Sequence, residues 1–192
     1  MTVRRRVKLP PGYPADYESS ARLSDGRTVK IRPILASDAP ELAEAIRSAD
    51  PETLHNRFLG APPPLTDAVL RGLTEVDYVN RFALVARSRR KGVAIARYIA
   101  LPPRDDGTRA AEIAVAVARE WRGVGLATQL VKLLSRRAQE CGIDELTALF
   151  LSNNRPVAEL AHDLHGRVVV TDSMSELSAH FATTETDGPD AL

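Results

Sequence analysis

The sequence predicts a mixed α/β (α+β) domain built around one sheet, and three observations predict it. Asp25-Gly26 is a turn signal, and beyond it Val29 and Ile31 alternate with polar residues, the pattern of a hairpin arm. Three β-rich stretches, 81–87, 92–101 and 109–118, follow one another across short connections and read as a meander. Beyond residue 118 the apolar period switches from two to helical and back, giving the order β-α-β-α-β. Of 192 residues, 44% are hydrophobic and 27% charged, enough apolar material for a core and too much for a disordered chain.

The elements between these landmarks have their own signals. Ser37 is the expected N-cap of a helix carrying Leu42, Ala45 and Ile46 on one face. Asp50-Pro51 opens another short helix, with proline in the first turn where its missing N–H costs nothing. Pro62-Pro63-Pro64 forms a loop, and Thr66-Asp67 caps a third helix. Leu126, Leu130, Leu133, Leu134 and Ala138 mark a helix over 124–138. A strand is expected over 145–151, a helix over 154–164 and a strand core at 168–170. Residues 1–20, with three prolines and no apolar period, are expected to be an extended arm, 21–182 the folded domain, and 183–192 an acidic, frayed tail.

Charge excludes some functions. Arg4, Arg5, Arg6 and Lys8 make the start basic, Glu185, Asp187 and Asp190 make the end acidic, and the body between is neutral. A neutral body lacks the basic face that nucleic acid requires, so no nucleic-acid partner is expected. The longest apolar run, 113–118, falls far below the ~20 residues of a membrane span, so no membrane partner is expected either. The basic start has no apolar segment behind it, unlike a secretory signal. A single cysteine, Cys141, supports neither a disulfide nor a metal site, and the expected setting is the reducing cytoplasm.

The chemistry concentrates in 110–130. A strand runs into Arg122-Gly123-Val124-Gly125-Leu126-Ala127 and then a long helix. Glycines at 123 and 125 let the backbone turn sharply and approach a ligand closely. The free N–H groups of the first helical turn, at the positive dipole end, suit a phosphate or pyrophosphate. A dinucleotide fold would place an acid at the end of the next strand, but that strand ends Leu149-Phe150-Leu151-Ser152-Asn153. On the preceding strand, period two puts Glu112, Ala114 and Ala116 on one face: an acid above a slot of small residues.

The segment 122–127 resembles the acetyl-CoA pyrophosphate signature of the GNAT N-acetyltransferase superfamily, Arg/Gln-x-x-Gly-x-Gly/Ala, with the right strand before it and the right helix after it. Asn154-Arg155-Pro156 resembles the superfamily's second cofactor motif, and the likeness extends over roughly 21–170. Ala111-Glu112-Ile113-Ala114-Val115 is similar to the catalytic segment of Pat-type protein lysine acetyltransferases. The resemblance implies the GNAT fold, a central mixed but mostly antiparallel twisted sheet flanked by helices. It implies acetyl-CoA as cofactor, with backbone groups of Ala116, Val117 and Ala118 pairing with the pantetheine arm. Arg122, Gly123, Val124, Gly125, Leu126, Ala127 and Thr128 would cradle the pyrophosphate, and Asn154 would reach the pantetheine amide. Glu112 matches the general base, and an N–H near Val117 the oxyanion donor.

The usual leaving-group tyrosine is absent, its position being Ala161 with His162 beside it, and the usual Gly-Phe that follows is His165-Gly166-Arg167. The expected partner is a protein carrying a reactive lysine. A small-molecule amine is the alternative acceptor, a silent acyl-CoA-binding module the alternative class, and homo-oligomerisation is left open.

Overall fold

A computed structural model describes residues 9–89 and 91–151 in full, and 167–170 and 174–180 as strands. The chain order is β1 (Ser19–Arg22), β2 (Thr28–Pro33), α1 (Ala39–Ser48), α2 (Pro51–Phe58), α3 (Asp67–Thr74), β3 (Arg81–Ser88), β4 (Lys91–Ala100), β5 (Ala110–Val117), α4 (Leu126–Glu140), β6 (Glu145–Leu151), β7 (Arg167–Val170) and β8 (Met174–His180). One eight-stranded sheet runs in the order β1-β2-β3-β4-β5-β6-β8-β7. Among the described strands only β5 and β6 pair in parallel, joined by the crossover through α4. No helix among the described residues is long and apolar enough to cross a membrane.

Period two sorts β3 to β5 onto two faces. Phe82, Leu84, Ala96, Tyr98 and Ile113 pack into a buried core that includes Leu126, Leu130 and Leu134 of α4. The opposite face meets α1 and α2. Two expected helix starts appear as read: Asp50 accepts from the Thr53 N–H at 3.0 Å, and Thr66 Oγ1 accepts from the Val69 N–H at 3.3 Å.

Two expectations are corrected, and one strand is added. The arm does not extend to residue 20: β1 begins at Ser19 and Tyr17 is 2% exposed. Its ring meets Phe82 edge-on at 5.4 Å and its hydroxyl donates to Glu140 at 2.8 Å. One aromatic anchor outweighs the prolines around it, since burying such a ring is worth several kcal/mol. Ser37 is not the N-cap of α1; it lies in a 3₁₀ turn, and α1 starts at Ala39. Asp38, the residue before, turns its carboxylate back to the Leu35 N–H and to Arg32 instead. Finally, β8 was not read from the sequence: Ser175, Glu176 and Ser178 break up the apolar signal, and its pairing with β6 and β7 supplies what the pattern lacks. The expected helix over 154–164 and the tail over 183–192 lie outside the described residues.

Candidate active site

The hairpin turn between β1 and β2 braces the segment that follows β5. Ser24 N–H donates to the Val124 carbonyl at 3.3 Å, and Arg27 Nη2 to that of Glu120 at 2.9 Å. The same guanidinium lies 3.9 Å above the Trp121 ring. Trp121 was not singled out from sequence; being the only tryptophan, set just before the glycines, is the signal that could have found it.

Beyond this brace the backbone turns left-handed twice, at Gly123 (φ 70°) and Gly125 (φ 82°). A Cβ added at either glycine would meet no heavy atom of the described residues within 4 Å, so among these residues the space above the turn is open. Gly125 is the N-cap of α4, and its carbonyl accepts the Gln129 N–H at 3.1 Å. Among the described residues no acceptor takes the N–H groups of 123–128. A row of unpaired donors at the positive end of a 15-residue helix is chemistry for a phosphate or pyrophosphate. Arg122 faces the other way: Nη2 donates to Thr53 Oγ1 at 2.5 Å, and Nη1 lies 3.4 Å from Glu52.

β4 pairs with β5 along its length, but β6 follows β5 only from Ala110↔Glu145 to Glu112↔Thr147. Beyond Glu112 the two strands part and leave a wedge. Ala118 N–H donates to Val93 at 2.9 Å, and Leu101 N–H to Ala110 at 2.8 Å. In an antiparallel ladder this alternation sends the N–H and C=O groups of the even residues of β5 toward β4. Those of Ile113, Val115 and Val117 therefore point into the wedge, where an extended ligand arm could pair with them. Of the three backbone positions expected there, Ala116 and Ala118 are turned to β4, and Val117 alone faces the opening. The Val117 carbonyl also accepts Arg122 Nε at 3.3 Å.

Glu112 stands at the apex of this wedge, exposed, with Ile99 opposite it on β4 and Thr147 on β6. Ala114 and Ala116 continue its face into an open-sided cavity of about 350 Å³ lined by α1, α2 and the sheet. Arg57 and Arg97 also line that cavity, whereas Glu112 lies outside it. Burial pushes the Arg57 guanidinium down from its ordinary value, and the Glu112 carboxylate pulls it partly back.

Several other polar side chains are engaged structurally or exposed. The Asp77 carboxylate accepts the N–H groups of Val79, Asn80 and Arg81, and buried Tyr78 donates to the Ile34 carbonyl at 2.9 Å. His55 is exposed, and Arg136 pairs with Glu140. Asn154, Ala161 and His162 lie outside the described residues.

Comparison with known proteins agrees with this geometry. The profile of the acetyltransferase (GNAT) family matches residues 52–166. An acetyltransferase of Pseudomonas aeruginosa is 32% identical over 142 residues, covering 72% of this chain and 74% of that protein. The acetyltransferase Pat of Mycolicibacterium smegmatis is 29% identical over 168 residues, which span 85% of this chain and 47% of that longer protein. The crystal structure of the GNAT domain of S. lividans PAT superposes with a TM-score of 0.80 at 27% identity, covering 88% of this chain and 99% of that one.

Proposed function

The chain belongs to the GNAT acetyltransferase family, and on that premise we propose that it acetylates a protein lysine ε-amine, with Glu112 as general base. The donor of the family is acetyl-CoA, which supplies an acetyl thioester as electrophile when bound. The residues present fit it: the unpaired N–H groups of 123–128 suit the pyrophosphate, and the open edge of β5 at Val115 and Val117 suits an extended amide-bearing arm.

The observation that carries the lysine reading is the exposure of Glu112 on an open face of the sheet. A lysine ε-amine has a pKa near ~10.4 and arrives protonated, so a carboxylate must draw off its proton, directly or through water. Glu112 can be reached there by a side chain presented from a bulky surface, because its neighbour Ile99 is 41% exposed. Likeness to the Pat of M. smegmatis and to the S. lividans PAT domain supports the same reading. A second reading, a small-molecule amine, is favoured by the cavity lined by Ala114 and Ala116, whose volume of about 350 Å³ would take a small molecule.

Incubation with labelled acetyl-CoA and a lysate of the source cells, followed by mass spectrometry, tests both. Label on lysine side chains is the expected result. Label confined to small amines overturns it for the second reading, and no transfer to any amine leaves an acyl-CoA-binding module.

A further inference from the structure

Arg97 is the outlier of this protein. It sits in the middle of β4, 4% exposed, and lines the cavity between the sheet and helices α1 and α2. Its β-ladder partners on either side are Ala83 and Ala114, whose small side chains leave room for a guanidinium on that face. The guanidinium has no hydrogen bond or ion pair among the described residues, and its buried Nε is unsatisfied. Its charged neighbours make matters worse. Burial, then Arg57, then Arg81 lower its pKa to about 10, so it stays cationic at neutral pH. Arg81 is engaged with the Gly72 carbonyl, whereas Arg57 lines the same cavity beside Phe58.

None of the carboxylates that line the cavity neutralises it, and one of them, Glu120, is exposed. Asp38 is held by Arg32, Glu41 by Arg87, and Asp50 caps α2. An unpaired buried cation is among the costliest features a fold can carry, and a second cation beside it adds to the cost. A carboxylate entering the cavity would meet the fork of Arg97 in the bidentate geometry that guanidinium favours.

We propose that Arg97, with Arg57 beside it, forms a subsite for a small carboxylate borne by one of the two reactants. The carboxylate is carried either by the acceptor amine or by the far end of the acyl chain. The assignment rests on the acetyltransferase reading, but on neither a lysine acceptor nor Glu112 as the base. It makes the protein selective for an anionic reactant.

Binding comes first, because it requires no turnover. Succinate should raise the melting temperature of the protein, and succinamide at equal ionic strength should not, since a ligand that binds only the folded state stabilises it by mass action. Arg97→Met should abolish that difference. Two kinetic arms then locate the source: lysine peptides with glutamate or glutamine beside the acceptor, and succinyl-CoA against butyryl-CoA. A preference of ~10²-fold in kcat/KM for the anionic member is expected in one arm, the scale of losing one partner of a desolvated charge pair. Preference in the peptide arm assigns the carboxylate to the acceptor, and preference in the thioester arm assigns it to the acyl chain. If Arg97→Met does not fold, the wild-type comparisons stand alone. Equal shifts with succinate and succinamide, together with no preference in either arm, overturn the proposal. They would do so even if Glu112 proved to be the base.

Discussion

Arg122 and Thr53 are joined by a hydrogen bond of 2.5 Å that ties the glycine turn to the first turn of α2. With Asp50 at 3.8 Å and the Val117 carbonyl at 3.3 Å, the guanidinium links α2, the end of β5 and the start of α4. The arginine of the cofactor signature therefore acts here as a clamp. Arg122→Ala should cost about 1 kcal/mol of stability, the net worth of one or two part-exposed hydrogen bonds. A thermal melt indistinguishable from wild type would show that the clamp carries no weight.

Gly125 tests the cofactor site. Its φ of 82° strains any side chain, and a branched one would also enter the space above the turn. Gly125→Val should weaken acetyl-CoA binding at least tenfold, or ~1.4 kcal/mol, in a variant that still folds. Calorimetry giving wild-type affinity would remove the pyrophosphate from this turn.

Glu112→Gln keeps shape and hydrogen-bonding capacity but cannot take up the proton of an amine. The rate at neutral pH should fall ~10²–10⁴-fold while acetyl-CoA affinity barely moves. Raising the pH toward the amine's own ~10.4 should partly restore the variant, because solvent then deprotonates the acceptor. Wild-type turnover by the variant at neutral pH would rule out Glu112 as the base.

Tyr17 tests the revised N-terminal boundary. Tyr17→Ala leaves a hole beside Phe82 and should cost about 3 kcal/mol, with a matching drop in melting temperature. Removing residues 1–17 should do the same, since the ring goes with them. An unchanged melt in either variant would return this segment to the status of a free arm.

Asp38 gives the protein an acid-sensitive joint. Burial pushes its carboxyl up, but Arg32, the Leu35 N–H and Arg87 more than offset this and hold it below its ordinary range. A carboxyl depressed in the folded state stabilises fully above the unfolded value of ~3.9, and that contribution is lost as pH falls through the folded value. Asp38→Asn should therefore be less stable than wild type at pH ~7 by about 2–3 kcal/mol, the scale of breaking a mostly buried pair. The gap should close as pH drops from ~5 toward ~2. A gap that persists unchanged at low pH would contradict the pairing.

Strong local signals made much of this legible. The Asp25-Gly26 turn, the caps at Asp50 and Thr66, the meander and the switch into α4 all announce themselves within a few residues. The glycine turn was legible for the same reason, since two left-handed positions in three residues leave little choice but glycine. What escaped depends on distant partners. Tyr17 is anchored by Phe82 and Glu140, far along the chain, and no periodicity announces such a contact. Arg97 reads in sequence as one polar residue in an apolar strand, and only the paired sheet shows that its face is closed. The wedge is a matter of register, which follows from where β6 stops tracking β5.

That wedge has a consequence for solubility. Unpaired strand edges are templates on which foreign chains can add, and proteins with open edges need some defence against aggregation. Here the bare rungs of β5 lie between two strands of the same sheet, closed at one end by the pair Glu112↔Thr147. An incoming β-strand on a neighbouring molecule finds no straight, outward rim to zip against. A single slender chain can still slide in lengthwise from the open end. One piece of geometry thus admits a thin, linear ligand and discourages the strands of other molecules from pairing with these rungs.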